Sequence, residues 1–247
     1  MVERSFGNFG GGGGRGNSPN WNSIFSMTDI SEKTRTHLVA VYLQLLFCTG
    51  SSILGAYLNA HFLMEGFFAL IASIAVLGYC GYQVSNRQNP EDSRKGFLYL
   101  LAFFMGFLIG PAMHIIQVLE PVILRQAAVY TTTAFSSFSG LALFSRRRSF
   151  LFLGGIIMTL LQGMLLYSMF GWLTGNAIGL GYIMVSLFVA CLWIIYDTQV
   201  IVEQSERGDR DVPNHAMMLF VDLFDLFVKI VRVLIEMQDS DKKKKQK

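Results

Sequence analysis

The sequence predicts an all-α polytopic membrane protein with six clear transmembrane helices and a seventh, polar-striped helix. Three observations support this prediction: 52% of the 247 residues are hydrophobic, only 15% are charged, and the charges avoid the middle of the chain. The 165 residues from Leu38 to Val202 carry 12 charged side chains, whereas the other 82 residues carry 25. Soluble domains contain roughly 25% charged residues, so a long apolar body with charged ends indicates a lipid bilayer as the main partner.

Six apolar runs are each long enough to cross a membrane as a helix. A hydrocarbon core about 30 Å thick needs about 20 helical residues. The runs lack the period-two alternation of transmembrane barrel strands, and unpaired backbone groups are costly in lipid, so helices are expected. The six runs are Leu38–Leu58, Phe62–Tyr82, Gly96–Val118, Val122–Phe144, Phe150–Leu173 and Ala177–Val202.

The chain divides into three segments. Residues 1–37 contain the glycine run Gly10–Gly14 and too little apolar surface to offset the entropy of ordering, so a flexible N-terminal segment is predicted. Residues 38–237 form the predicted transmembrane bundle, and residues 238–247 form a lysine-rich tail. The net charge of +3 is small and is concentrated in that tail, so a nucleic-acid partner is not expected.

The loops predict the orientation of the bundle. The N-terminal segment, the second-to-third loop, the fourth-to-fifth loop and the segment after the sixth run together carry twelve Lys and Arg residues. The alternate loops carry one, Arg125. Cytoplasmic loops are enriched in Lys and Arg, so the N-terminus is predicted to be cytosolic.

The seventh segment, Val212–Met237, is apolar but carries a charged stripe. Its charged residues are Asp222, Asp225, Lys229, Arg232 and Glu236. Spacings of 3, 4, 3 and 4 place all five on one helical face. Two interpretations remain open: an amphipathic helix on the surface, or a helix inside the bundle whose stripe meets a wet interior.

The basic tail raises a question of topology. Its lysines are Lys242, Lys243, Lys244, Lys245 and Lys247. A full crossing by the seventh helix would put them outside the cytosol, against the charge rule, whereas a re-entrant helix would keep them cytosolic. The last four residues also fit a dilysine retrieval signal, with a generic basic tail as the alternative.

Two acids within the apolar runs are candidates for a functional site. Asp197 lies near the predicted cytosolic end of the sixth helix, and Asp222 lies about 13 Å into the seventh. The short link between these helices permits the two carboxyl groups to meet at similar depth. There they would share one proton and titrate as a coupled pair. Carboxylate oxygens also suit Ca²⁺, which takes 6–8 oxygen ligands, so a pH-gated cation path is one hypothesis.

Other polar residues in the runs are weaker candidates. The hydroxyl-bearing residues of the fourth run are Thr131, Thr132, Thr133, Ser136, Ser137 and Ser139. They would line a polar path or, as hydroxyls in helices commonly do, bond back to the backbone. Cys48, Cys80 and Cys191 have no C-x-x-C spacing, so we expect buried free thiols.

Several short motifs occur together along the chain. They are Gly110-Pro111-Ala112, Arg146-Arg147-Arg148-Ser149-Phe150-Leu151-Phe152-Leu153-Gly154-Gly155, Tyr196-Asp197-Thr198-Gln199, Glu203 with Gly208-Asp209, Leu219-Phe220-Val221-Asp222 and Leu226-Phe227. With the lysine-rich end, they make the chain from about Leu38 onward similar to the transmembrane Bax inhibitor motif family. Two features depart from the family pattern: Asp225 stands where many relatives have Asn, and the second run lacks the arginine that latches the pair in bacterial relatives.

The resemblance implies a protein of the endoplasmic reticulum membrane that suppresses stress-induced cell death and lets Ca²⁺ leak from the store in a pH-dependent way. It implies that Asp197 and Asp222 are the proton-sensing pair, with Asp225 as a third acid nearby. It also implies a central seventh helix surrounded by the other six. Ca²⁺ would be the transported ion and protons the modulator, with no resident cofactor.

Two other functions are alternatives to a leak channel. One is a non-conducting regulator that binds Bcl-family or ER-stress proteins through a cytosolic tail. The other is an intramembrane aspartyl protease, which needs a Gly-x-Gly-Asp element around its second acid. The chain has Phe220-Val221-Asp222 there, so an enzyme is not expected. The sequence leaves the oligomeric state open.

Overall fold

The computed structural model describes residues 30–62, 67–145, 150–174 and 179–245, and almost all of them lie in seven α-helices. The helices are α1 Glu32–Phe62, α2 Phe67–Ser85, α3 Glu91–Leu119, α4 Pro121–Phe144, α5 Leu153–Thr174, α6 Leu180–Glu206 and α7 Val212–Lys245. No strand occurs within these ranges. The all-α fold is therefore confirmed. The glycine-rich segment up to residue 29, the arginines Arg146–Arg148 and the last residue, Lys247, lie outside the described residues.

Each apolar run coincides with one helix, and most helices extend beyond it. Four of them, α1, α3, α5 and α6, are long and apolar enough to cross a membrane. In α2 the apolar stretch Leu70–Ser85 is shorter. The charge of Arg125 and the run of hydroxyl side chains after it make α4 less apolar than its neighbours. The protein is thus a multi-pass membrane protein.

The outer surface of the bundle is apolar. Large side chains such as Phe47, Leu46, Leu165 and Trp172 are between 62% and 82% exposed. Soluble monomers rarely expose so much contiguous apolar surface, whereas lipid tails solvate it. The exposed side chains are therefore the lipid-facing surface.

The polar-striped helix α7 lies inside the bundle. It packs against α1, α2, α3, α4 and α6, while α5 packs on the outside against α6. Leu219, Phe220 and Leu226 on α7 are at most 1% exposed. The central position predicted for the seventh helix is confirmed, and its main packing partners are five of the other helices. The surface-helix interpretation is wrong because these side chains are core residues.

Helices α1 and α3 approach each other closely through small residues. A Cβ atom at Gly106 would collide with the backbone oxygen of Ser52, and one at Gly55 with that of Phe103. Side chains of α1 then reach carbonyl groups of α3: Ser51 Oγ donates to Tyr99 O at 2.8 Å, and Asn59 Nδ2 donates to Phe107 O at 2.7 Å. Small residues permit this packing because they let two backbones approach without a side chain between them.

The helix α7 runs the full length of the bundle. Near its start, His215 contacts His37 in the second turn of α1. Near its end, Lys242 Nζ lies 2.8 Å from Glu120 Oε1, in the turn between α3 and α4. The helix also continues to Lys245, past the predicted boundary at Met237. Contacts at the α3–α4 turn explain the extension, since they hold the last turns of α7 against the bundle.

Candidate di-aspartyl site

The turn between α6 and α7 sets the register of the candidate site. Gly208 has a φ of 98°, the left-handed conformation that glycine adopts without steric cost. Gly208 N donates to Ser205 O at 3.0 Å and Asp209 N to Gln204 O at 2.9 Å, which together form a Schellman motif that ends α6. Asp211 then caps α7, because its Oδ1 accepts a hydrogen bond from Asn214 N at 3.3 Å.

This tight turn brings Asp197 and Asp222 to the same depth. Asp197 lies nine residues before the end of α6 at Glu206, and Asp222 lies ten residues after the start of α7 at Val212. At a rise of 1.5 Å per residue, both are about 14 to 15 Å from the turn. Antiparallel helices joined in this way place the two side chains side by side.

The carboxyl groups of Asp197 and Asp222 lie within hydrogen-bonding reach of each other. Asp197 is buried, at 9% exposure, and Asp222 is half-buried. A hydrogen bond between two carboxyl groups needs one proton between them, because two carboxylates have no hydrogen to share. Asp222 Oδ2 is buried and has no hydrogen-bond partner among the described residues.

Asp225 and Lys229 are the charges on α7 that act on Asp222. Lys229 Nζ lies 2.6 Å from Asp225 Oδ2, and the Asp225 side chain is 44% exposed. Asp225 is therefore an ion-paired neighbour of the pair rather than a third member of its hydrogen bond. Its role in an ion path stays a prediction.

A row of hydroxyl groups lies beside Asp197. Thr198 Oγ1 and Ser139 Oγ are 3.3 Å apart, and Ser139 is also hydrogen-bonded to the hydroxyl of Tyr42. The row joins α6, α4 and α1 across the interior of the bundle. Sequence analysis singled out Ser139 but missed Tyr42, which has no local pattern to mark it.

The other hydroxyl groups of α4 were predicted either to line a polar path or to bond back to the helix backbone, and the structure contains examples that differ in this respect. Thr132, Thr133 and Ser137 each donate to the backbone oxygen four residues earlier, at 2.7 to 2.9 Å. The hydroxyl groups of these residues are thus hydrogen-bonded within their own helix, as is common for Ser and Thr in helices. Thr131 does not, and its buried Oγ1 has no partner among the described residues.

A second polar cluster, missed by sequence analysis, lies at the end of the bundle where α7 begins. Arg94 NH2 lies 2.6 Å from Asp211 Oδ2, with both side chains almost fully buried, and Arg94 Nε donates to Val84 O at 2.7 Å. Arg87 NH2 lies 2.6 Å from Asp209 Oδ2. Burial raises the pKa of Asp209, but the hydrogen bond and charge of Arg87 outweigh it and hold that pKa below its ordinary value.

The histidine pair belongs to the same end. His37 Nε2 and His215 Nδ1 lie 2.8 Å apart, and His215 Nε2 lies 2.8 Å from Gln204 Oε1. Both imidazole rings are buried. Together with the arginine–aspartate pairs, these contacts fasten α1, α3 and the α6–α7 turn to one another.

The donors at the aspartate pair do not by themselves complete a cation site. No group of three or more His, Cys, Asp or Glu residues converges in the part of the chain that the structure describes. Ca²⁺ takes 6–8 oxygen ligands, so two carboxyl groups fall well short of a resident calcium centre. Cys48 and Cys80 are buried free thiols and Cys191 is a half-buried one.

Comparisons with known proteins agree with this architecture. The model of the family described as inhibitor of apoptosis-promoting Bax1 matches residues 34–240. Bax inhibitor 1 from Bos taurus is 35% identical over 234 residues, which cover 92% of this chain and 96% of that protein. The proteins of the same name from Mus musculus and Homo sapiens are 35% and 33% identical, and each alignment covers 92% of this chain and 97% of the relative. The chain belongs to the Bax inhibitor family.

Proposed function

We propose that this protein suppresses programmed cell death and lets Ca²⁺ leak across the endoplasmic reticulum membrane in a pH-dependent way. The names of the matched family and of the relatives support the first part. The observation that carries the second is the pair of Asp197 and Asp222, whose carboxyl groups lie within hydrogen-bonding reach of each other in the interior of a lipid-embedded bundle.

The proton shared by the pair explains the pH dependence. With one proton, the pair carries one negative charge, and the hydrogen bond through that proton holds the two carboxyl groups together. Loss of that proton leaves two carboxylates that repel each other and attract a cation. The free Oδ2 of Asp222 offers that cation its first oxygen ligand, and water supplies the others.

The orientation of the bundle decides which compartment the pair senses. With the N-terminus cytosolic, as the Lys and Arg count predicts, the α6–α7 turn faces the cytosol. The pair then lies about 14 to 15 Å from that face and responds to cytosolic pH. Acid protonates the carboxylates of Asp197 and Asp222, and this neutralisation changes the Ca²⁺ flux.

The test is Ca²⁺ flux in proteoliposomes that contain the full chain, measured from pH 5 to pH 8. Asp222→Asn keeps the size and hydrogen-bonding capacity of the side chain but removes its titration, so the pH dependence should disappear. Asp239→Asn is the matched control, since Asp239 is an exposed acid on the same helix, far from the pair. An Asp222→Asn protein that folds, conducts and responds to pH like the unmodified chain overturns the di-aspartyl mechanism.

A regulator that binds Bcl-family or ER-stress proteins through a cytosolic lysine tail gains no support from the geometry. Such a tail requires both ends of α7 to lie on one side of the membrane. Lys242 instead contacts Glu120, at the opposite end of the bundle from His215. Deletion of residues 242–247 should therefore leave cell protection largely intact, and loss of protection would favour the regulator.

A further inference from the structure

A cavity of about 550 Å³ lies between α1, α3, α4 and α7. On α7 it is lined by Phe220, Leu223, Phe224 and Phe227. Asp222 is two residues from Phe220 and therefore about 200° away around the helix. The cavity thus lies on the opposite side of α7 from the aspartate pair.

The wall of the cavity is mostly apolar. Asp, Glu, Lys and Arg are absent from its described lining, which is dominated by apolar side chains such as Ile53, Met113 and Leu124. A charged ligand would lose its hydration here without gaining a counter-charge, which is costly. An uncharged and mostly apolar ligand would lose little.

Thr131 provides an unpaired hydrogen-bonding position in the wall, which also includes the polar side chains of Ser52, His114 and Gln117. The residue is 4% exposed, lines the cavity, and its Oγ1 has no partner among the described residues. Two other threonines of the lining, Thr49 and Thr132, donate to their own helix backbone at 2.9 Å. Buried polar groups are rarely left unpaired, so the Thr131 hydroxyl indicates a partner that enters from outside the chain.

The cavity opens sideways between α1 and α4. Ile53 and Tyr57 line it and are 66% and 57% exposed, and the nearby Val129 is 61% exposed. These residues belong to the apolar surface that faces lipid. Ile53 lies about 22 Å along α1 from Leu38, the predicted start of the first span, and therefore within the roughly 30 Å hydrocarbon layer. The medium at the mouth is the bilayer itself.

We propose that the cavity binds a neutral membrane lipid with an uncharged hydrogen-bonding group, of the sterol or monoacylglycerol kind. The hydroxyl or carbonyl of the lipid pairs with Thr131, and its apolar body packs against Phe220 and Phe224. The volume falls in the usual range of ligand pockets, about 300 to 1,000 Å³.

The experiment uses the purified full chain in phosphatidylcholine nanodiscs. A photoreactive cholesterol and a photoreactive monoacylglycerol are added separately, and the cross-linked peptides are mapped by mass spectrometry. Labelling of α4 or α7 within the lining, competed by the unlabelled lipid, is expected for one of the two probes, which identifies the source. A photoreactive fatty acid at pH 8 carries a charge and should label the lining more weakly.

Three variants test the role of the cavity. Thr131→Val keeps the shape of the side chain and should raise the concentration of unlabelled lipid needed for half-maximal competition about two- to tenfold, the effect of one lost hydrogen bond. Ala128→Phe fills the cavity from an exposed position on α4 and should abolish labelling. Thr133→Val is the matched control, since that hydroxyl is exposed and bonds to Val129 O.

The proposal is independent of Ca²⁺ flux and survives if the leak mechanism fails. Labelling confined to the outer surface, or a competition curve unchanged by Thr131→Val in a protein that remains monodisperse, overturns it. If Ala128→Phe does not fold, the comparison of Thr131→Val with Thr133→Val still decides the question.

Discussion

Arg94 and Asp211 form a buried ion pair that joins α3 to the first turn of α7. Their nearest charged atoms are 2.6 Å apart, and the side chains are 7% and 5% exposed. Arg94 also bonds to the last turn of α2, while Asp211 caps α7 with its second oxygen. One pair thereby fixes where the central helix starts relative to two others.

Loss of this pair should destabilise the bundle strongly. Arg94→Met removes the buried counter-charge of Asp211 and leaves only the exposed Arg87, whose Nε lies 3.5 Å from Asp211 Oδ2. Loss of one partner of a buried ion pair typically costs about 3 to 5 kcal/mol. We expect a clear fall in the midpoint of thermal unfolding in detergent. Lys95→Met is the control, because Lys95 pairs with Glu91 on the surface of the same helix and should change stability by less than about 1 kcal/mol. Equal effects from the two variants would contradict the prediction.

The ion pair of Arg87 and Asp209 makes the stability of the fold depend on pH, and the structure gives the sign of this dependence. The pKa of Asp209 in the folded protein lies below its ordinary value of 3.8, because Arg87 outweighs the effect of burial. A carboxyl group with a lowered pKa stabilises the fold above its ordinary pKa, and this contribution is lost as the pH falls through the lowered value. The stability difference between the unmodified chain and Asp209→Asn should therefore be full at pH 7, begin to fall near pH 4, and vanish only once the pH is below the lowered pKa of Asp209.

The control for that measurement is Asp92→Asn. The side chain of Asp92 is 98% exposed and lies 3.5 Å from Lys95. Its contribution should be close to zero throughout, as for most exposed pairs. A difference for Asp209→Asn that grows as the pH falls would show the sign to be wrong.

Local patterns were enough to predict most of the fold. Apolar length alone predicted six spanning helices, of which four are long and apolar enough to cross a membrane. Counting residues from the α6–α7 link gave the shared depth of Asp197 and Asp222. The pairs His37–His215 and Arg94–Asp211 join residues more than 100 positions apart. Helical periodicity describes a single helix and carries no information about such partners, so these contacts became visible only in the folded bundle.

The close contact between α1 and α3 predicts unequal effects for two similar substitutions. Gly106→Ala places a methyl group against the backbone of Ser52, which cannot move aside as a side chain would. Overpacking of this kind costs about 1 to 3 kcal/mol, and we expect the upper part of that range. Gly96→Ala on the same helix meets nothing within 4 Å and should stabilise the helix by about 0.5 to 1 kcal/mol. Thermal unfolding of the two variants should thus shift in opposite directions.

Because α7 runs the full length of the bundle, its C-terminal end should lie on the opposite side of the membrane from the α6–α7 turn. The Lys242 hydrogen bond, followed by one from Gln238, holds the pKa of Glu120 below its ordinary value, so this contact persists at neutral pH. Arg87 lies at the other end of the bundle, beside the α6–α7 turn.

In a chain whose three native cysteines are replaced by serine, Lys242→Cys and Arg87→Cys should react with a membrane-impermeant maleimide from opposite sides of sealed vesicles. Gln126→Cys, close to the start of α4 and exposed, is the control and should react from the same side as Lys242→Cys. Reaction of Lys242→Cys from the side of Arg87→Cys would mean that α7 turns back within the membrane, and it would return the lysine tail to the cytosol.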